Sequence, residues 1–173
     1  MILEGCRLIT DWLNDGTNGV NALLGTTPLD AGDSTPAVLV SILDATRDGN
    51  VARLRLPENL PGIAVVPLPV EGLQPHVVVQ DCEGELQLAL RIAMTKAQTE
   101  QGFRDTSYYL RTVVRSLRRF NAATTAPSSR QRNNIYLEAC SELRMVQLWE
   151  TIEDSVITGA VLATYHVRDM TPT

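Results

Sequence analysis

The sequence predicts an α+β fold: a predominantly antiparallel or mixed sheet, covered by an N-terminal helix and one long amphipathic helix. Three observations predict it. Ile2, Cys6, Ile9 and Leu13 repeat along one helical face near the start. Phe103, Leu110, Val113, Val114, Leu117 and Phe120 form a second helical stripe in mid-chain. Between and after them, runs rich in Val, Ile and Leu are separated by turn-forming residues and read as strands. A chain of 173 residues without internal repeats suits one domain spanning 1–173, able to bury roughly 70% of its unfolded surface.

Taken in order, residues 1–25 read as helix interrupted at Asp15-Gly16. A short second turn carries Val20, Leu23 and Leu24 and stops at Gly25. Residues 26–36, with two prolines and several small polar residues, read as loop. "AVLVSILDA" and "VARLRLP" flank Asp48-Gly49, a hairpin signal. Five of the nine prolines fall between Pro57 and Pro75, so this segment, including "GIAVVPLPVEGL", is expected as an edge strand or extended arm. "HVVVQD" and "ELQLALRIAMT" flank a second hairpin, with Leu86, Leu88, Leu90 and Ile92 on one face. The long helix is expected over 103–121. The small-residue segment 122–132 reads as a mobile loop with a basic end. "NNIYLEAC" and "LRMVQLW", separated by Ser141-Glu142, are either a tight hairpin or one bulged strand, and "VITGAVLATYHVRD" is the last strand.

The formal net charge of -5 conceals an asymmetry. Residues 1–90 carry four basic and twelve acidic side chains, and 133–173 carry two and six. The intervening 91–132 carry nine basic and two acidic. Arg104, Arg111, Arg115 and Arg118 share a helical face distinct from the apolar stripe, with Arg119 beside them and Arg130 and Arg132 beyond the helix. Acidic partners at helical spacing, which would mark an ordinary solvated face, are scarce there. These seven arginines are the candidate interface; Arg111, Arg115 and Arg118, with Arg104 and Arg119 at the margins, are expected to meet carboxylates of a neighbouring subunit or ring. A sequence pI near 5.0 weighs against a dedicated nucleic-acid binder, although an arginine strip aligned with phosphates is the rival reading.

The chemistry-bearing residues form no recognisable catalytic or metal motif, and no cofactor is expected. Three cysteines without a C-x-x-C pair read as free thiols in a reducing compartment. "GTNGVNALLG" lacks the Lys-Ser/Thr of a phosphate-binding loop. The two histidines, His76 and His166, belong to no metal-binding spacing, and a Cys140–His166 pair across a sheet is the one catalytic arrangement to weigh. The N-terminus does not read as a secretion signal and no apolar run is long enough to span a bilayer, so the chain is expected to be made in the cytoplasm.

Three segments, "DGTNGVNALLGTTPLDAGD", "SYYLRTVVRSLRRFN" and "ITGAVLATYHVRD", together resemble the tail terminator, or tail completion, proteins of long-tailed bacteriophages. The resemblance implies a non-enzymatic virion protein: a homo-oligomer, typically a hexameric ring, that ends tail-tube polymerisation. Such a ring contacts the tail tube protein on one side and a head-completion or neck protein on the other, and DNA passes through its lumen without sequence-specific binding. Another neck or minor tail protein is the nearest alternative. A nucleic-acid-binding module using the arginine face of the helix is the alternative from a different class.

Overall fold

The computed structural model describes residues 2–29, 36, 41–44, 60–68, 83–95, 99–122, 130–152 and 155–170. Among these residues, three helices, α1 (Ile2–Leu13), α2 (Val20–Leu24) and α3 (Thr99–Ala122), accompany six strands. These are β1 (Ser41–Asp44), β2 (Gly62–Pro67), β3 (Glu83–Thr95), β4 (Gln131–Arg132), β5 (Ile135–Ile152) and β6 (Ser155–Asp169). The strands form one mixed sheet in the order β1-β2-β3-β6-β5-β4, with β1 parallel to β2 and every other neighbouring pair antiparallel. The α+β class is as the sequence predicts.

The N-terminal helix breaks where Asp15-Gly16 predicts. Asp15 Oδ1 accepts from the backbone N–H groups of Thr17 (2.9 Å) and Asn18 (2.6 Å), a local turn that competes with helix continuation. Gly19 then passes so close to the preceding turn that a Cβ would lie 2.3 Å from the Asp15 carbonyl oxygen, and α2 follows.

The proline-rich segment corrects the expectation. Its described part is β2, which is not an edge: Gly62–Val65 pairs with β1 on one side, and the whole strand with β3 on the other. The prolines bracket the strand without interrupting it. Pro61 precedes it and Pro67 is its last residue, so the ladder loses little. The remainder of that segment, the first predicted hairpin turn, "VARLRLP", "HVVVQD" and residues 123–129 lie outside the described residues. Of the second predicted turn, Cys82-Glu83-Gly84, the last two residues are described and belong to β3, paired with β6.

Ser141-Glu142 makes no turn. β5 is one bulged strand of 18 residues, in which Cys140 pairs with Tyr165 and Glu142 with the next residue, Thr164. Ser141 is thus the extra residue, its hydroxyl donating to the Thr164 carbonyl at 3.2 Å. The basic end of the predicted mobile loop is also ordered: Gln131–Arg132 pairs with β5 through a two-residue turn, Asn133-Asn134. Both asparagines have positive φ, 46° and 65°, the conformation a tight hairpin demands and asparagine tolerates.

One face of the sheet carries the core. Leu88, Leu90, Ile92, Ile63, Val65, Val161, Tyr165 and Leu137 are fully buried, against Cys6, Ile9 and Leu13 of α1 and Val113, Leu117 and Phe120 of α3. The Phe120 ring meets Trp12 and Tyr165 edge-on at centroid distances of 5.3 and 5.9 Å. Gly159 of β6 admits α3 closely; a Cβ there would stand 2.9 Å from Thr106 Cγ2 and 3.1 Å from Leu110 Cδ1.

Candidate subunit and partner interface

α3 has three working faces, where its apolar pattern suggested two. The first is the apolar stripe on the sheet; of the residues that predict it, Phe103 has a side chain outside the described set and the others are buried. The second is a stripe of buried hydroxyls that receives α2 and the turn after it. The Tyr108 hydroxyl donates to the Leu24 or Thr27 carbonyl, the latter at 2.8 Å. Thr112 Oγ1 bonds the Tyr108 carbonyl (2.8 Å) and Thr27 Oγ1 (3.2 Å), and Ser116 Oγ donates to the Asn18 carbonyl (2.7 Å). Trp12 Nε1 donates to the Ser116 carbonyl at 3.0 Å. A short helix of five residues cannot bury all its terminal carbonyls alone, and α3 supplies the missing donors. Apolar periodicity could not reveal this face; the signal was Tyr108, Thr112 and Ser116 at four-residue spacing.

The third face carries the arginines. Arg104, Arg111, Arg115, Arg118 and Arg119 fall within an arc of about 100° on an ideal helix. Arg104, Arg118 and Arg119 are exposed, and Arg111 and Arg115 are half-buried. Arg115 lies where this face meets the second: its Nη1 donates to the Thr26 carbonyl (2.5 Å) and Thr26 Oγ1 (3.2 Å). A cation at the end of α2 also suits that helix's dipole. Arg119 Nη1 reaches Asn18 Oδ1 at 3.4 Å. Arg118 makes no hydrogen bond or ion pair among the described residues.

Arg130 and Arg132, grouped with the strip by their charge, bond to other parts of the same subunit. Arg130 is only 6% exposed. Its Nε and Nη2 donate to the Phe120 carbonyl at 3.1 and 2.9 Å, and Nη2 also bonds the Asn121 carbonyl. Its guanidinium carbon stands 5.6 Å from the Phe120 ring centroid. It thus caps the C-terminus of α3 with a charge-assisted fork. Arg132 ties β4 to α1, with Nε 3.0 Å from Glu4 Oε2 and Nη1 on Asp11.

Cys140 and His166 do not meet. Cys140 faces Tyr165 across the β5–β6 ladder, so the two side chains share the helix-covered face, whereas His166, one residue on, points to the other. Burial pushes the Cys140 thiol up from its ordinary value, and Sγ lies 2.7 Å from the Glu142 carbonyl oxygen. A thiol held protonated is a poor nucleophile. Burial likewise raises Tyr165. His166 Nε2 sits 3.3 Å from Glu83 Oε2 in a charged group the sequence did not single out. There Arg168 Nε bridges Glu83 (2.8 Å) and Glu138 (3.0 Å) across three strands. Among the described residues, no group of three or more His, Cys, Asp or Glu side chains is placed to hold a metal ion, and no helix is long and apolar enough to cross a membrane.

Comparison with protein-family models, with curated proteins and with solved structures returns no significant match. The likeness to tail terminators therefore rests on the three sequence segments.

Proposed function

We propose that the chain is a structural subunit of a bacteriophage virion, a tail terminator that closes into a ring at the head-proximal end of the tail tube and joins it to the neck. The single observation that carries the assembly part of this reading is the outer face of α3. A helix of 24 residues, fixed by the sheet on one side and by α2 on another, presents Arg118 with Arg104 and Arg119 on a third. The rest of the chain is acidic. A rigid basic strip facing an acidic surface on the next copy suits a head-to-tail contact, which closes into a ring when the rotation per subunit divides a full turn. Isolated exposed ion pairs contribute only about 0–1 kcal/mol each, so the strip sets register and rejects wrong partners more than it supplies affinity. The phage assignment itself, with the tail tube and neck proteins as partners and DNA in the lumen, rests on the resemblance.

Negative-stain microscopy and sedimentation of the purified chain test the proposal. Closed rings of uniform diameter are expected, with association weakening as salt rises, most at low ionic strength. A chain that stays monomeric at all concentrations contradicts it. Protection of Arg118 and Arg119 from chemical modification by duplex DNA, with none on self-association, replaces it with the nucleic-acid reading.

A further inference from the structure

Among the described residues, β5 has a long edge without a neighbouring strand; its outer side is paired only at Ile135 and Tyr136, by β4. At Cys140 the outward backbone N–H donates to Asn121 Oδ1 at 3.1 Å, which closes the edge there. From Ser141 to Gln147 the residues are exposed or half-buried, and Met145 is 52% exposed. Strand edges of this kind invite pairing with another chain unless charges or bulges prevent it.

The charges on this edge have a particular order. Glu142 and Arg144 stand two apart on the face away from the helices, 3.2 Å from each other, with side chains 58% and 66% exposed. Were two copies of the edge to pair antiparallel about Leu143, each Glu142 would stand opposite the other copy's Arg144, twice over. Moving the register by two residues either way sets Arg144 against Arg144 or Glu142 against Glu142. Directly opposed like charges disfavour a ladder and opposite charges favour it. The bulge at Ser141 and the Asn121 contact keep the matching run short, so only a specific register is worth forming.

We infer that the Ser141–Met145 edge of β5 is a self-recognition seam, pairing antiparallel with the same stretch of a second copy about a two-fold axis. The occupant is another copy of this chain because the charge pattern complements itself. The seam is independent of the ring reading: a two-fold contact closes after two copies, whereas ring contacts repeat head to tail. It gives the free subunit a dimer that covers this edge.

The test is sedimentation equilibrium on the full chain, with circular dichroism confirming that each variant is folded. Wild type dimerises. Glu142→Arg makes the seam wholly positive and Arg144→Glu wholly negative, so each alone weakens dimerisation by about tenfold or more, since two attractive pairs become two repulsive ones. An equal mixture of the two variants dimerises again, and so does the double exchange Glu142→Arg/Arg144→Glu. A monomeric wild type, single variants that dimerise like wild type, or a mixture no tighter than its components overturns the seam. Rings that persist in Glu142→Arg leave the ring reading standing whichever way the dimer falls.

Discussion

The outer face of α3 and the short segment 130–132 carry the same sign of charge and read as one strip in the sequence, yet they do different work. On α3, Arg104, Arg118 and Arg119 point to solvent, and Arg118 has no bonding partner among the described residues. At 130–132, Arg130 is buried over Phe120 with two carbonyls to bond, and Arg132 joins two carboxylates of α1. The difference is one of unsatisfied neighbours. A helix C-terminus offers carbonyls that need donors, and a guanidinium nearby is drawn in to supply them. Arg118, on the outer face of α3, is not claimed in this way and stays exposed. Positive charge along a sequence therefore marks a surface only where the backbone does not claim it. Arg115 shows the intermediate case, taken by the end of α2.

The contrast can be broken first at its shared anchor. Phe120 holds Trp12, Tyr165 and Arg130 together, and Phe120→Ala should cost about 3–5 kcal/mol, read as a shift in the denaturant midpoint. Arg130→Ala comes next. It leaves the Phe120 and Asn121 carbonyls without their charged donor and should cost about 1.5–3 kcal/mol in the same measurement. Arg130→Lys should recover only part of that loss, since an ammonium cannot reproduce the fork. Arg118→Ala, its counterpart on the open face, should change monomer stability by no more than about 0.5 kcal/mol. A similar loss in both variants would erase the distinction. Arg132 lies between them. Its ion pairs are partly exposed, so Arg132→Ala should cost no more than about 1 kcal/mol, an effect that shrinks as salt is added.

The smallest effect is acid-dependent and belongs to the turn that α3 receives. The backbone N–H groups of Asn18 and Thr17 hold the Asp15 carboxyl below its ordinary value of 3.8. A lowered folded value means stabilisation that is present above 3.8 and is lost as pH falls through the lower folded value. Asp15→Asn should therefore flatten the acid limb of a stability-against-pH curve measured by thermal unfolding. Asp15 is exposed, so the change is slight, and an unaltered limb would count against the turn's charge mattering at all.

Much of this architecture was legible. Helical spacing located α1 and α3, Asp15-Gly16 located the break, and the alternation of Leu86, Leu88, Leu90 and Ile92 placed β3's buried face. The misreadings share a cause, which is that local propensity does not contain the partner. Prolines argued against an interior strand, but their positions at the ends of β2 let tertiary pairing prevail. The choice between hairpin and bulge at Ser141 depended on β6, 23 residues away. Small residues in 122–132 masked an anchored end because Arg130's ligands are carbonyls, which have no sequence signature. In the candidate interface the sequence located the strip; burial and hydrogen bonding then divided it.

The central claim is that the outward arginines of α3 serve assembly while Arg130 and Arg132 serve the subunit. Its most direct measurement is sedimentation of Arg118→Glu/Arg119→Glu beside wild type, with thermal unfolding of both. Thermal unfolding should be unchanged, apart from the weak Arg119–Asn18 contact, and the ring should be lost, leaving no species larger than the β5 dimer. A double variant that assembles as wild type does, at the same protein concentration and salt, would contradict it.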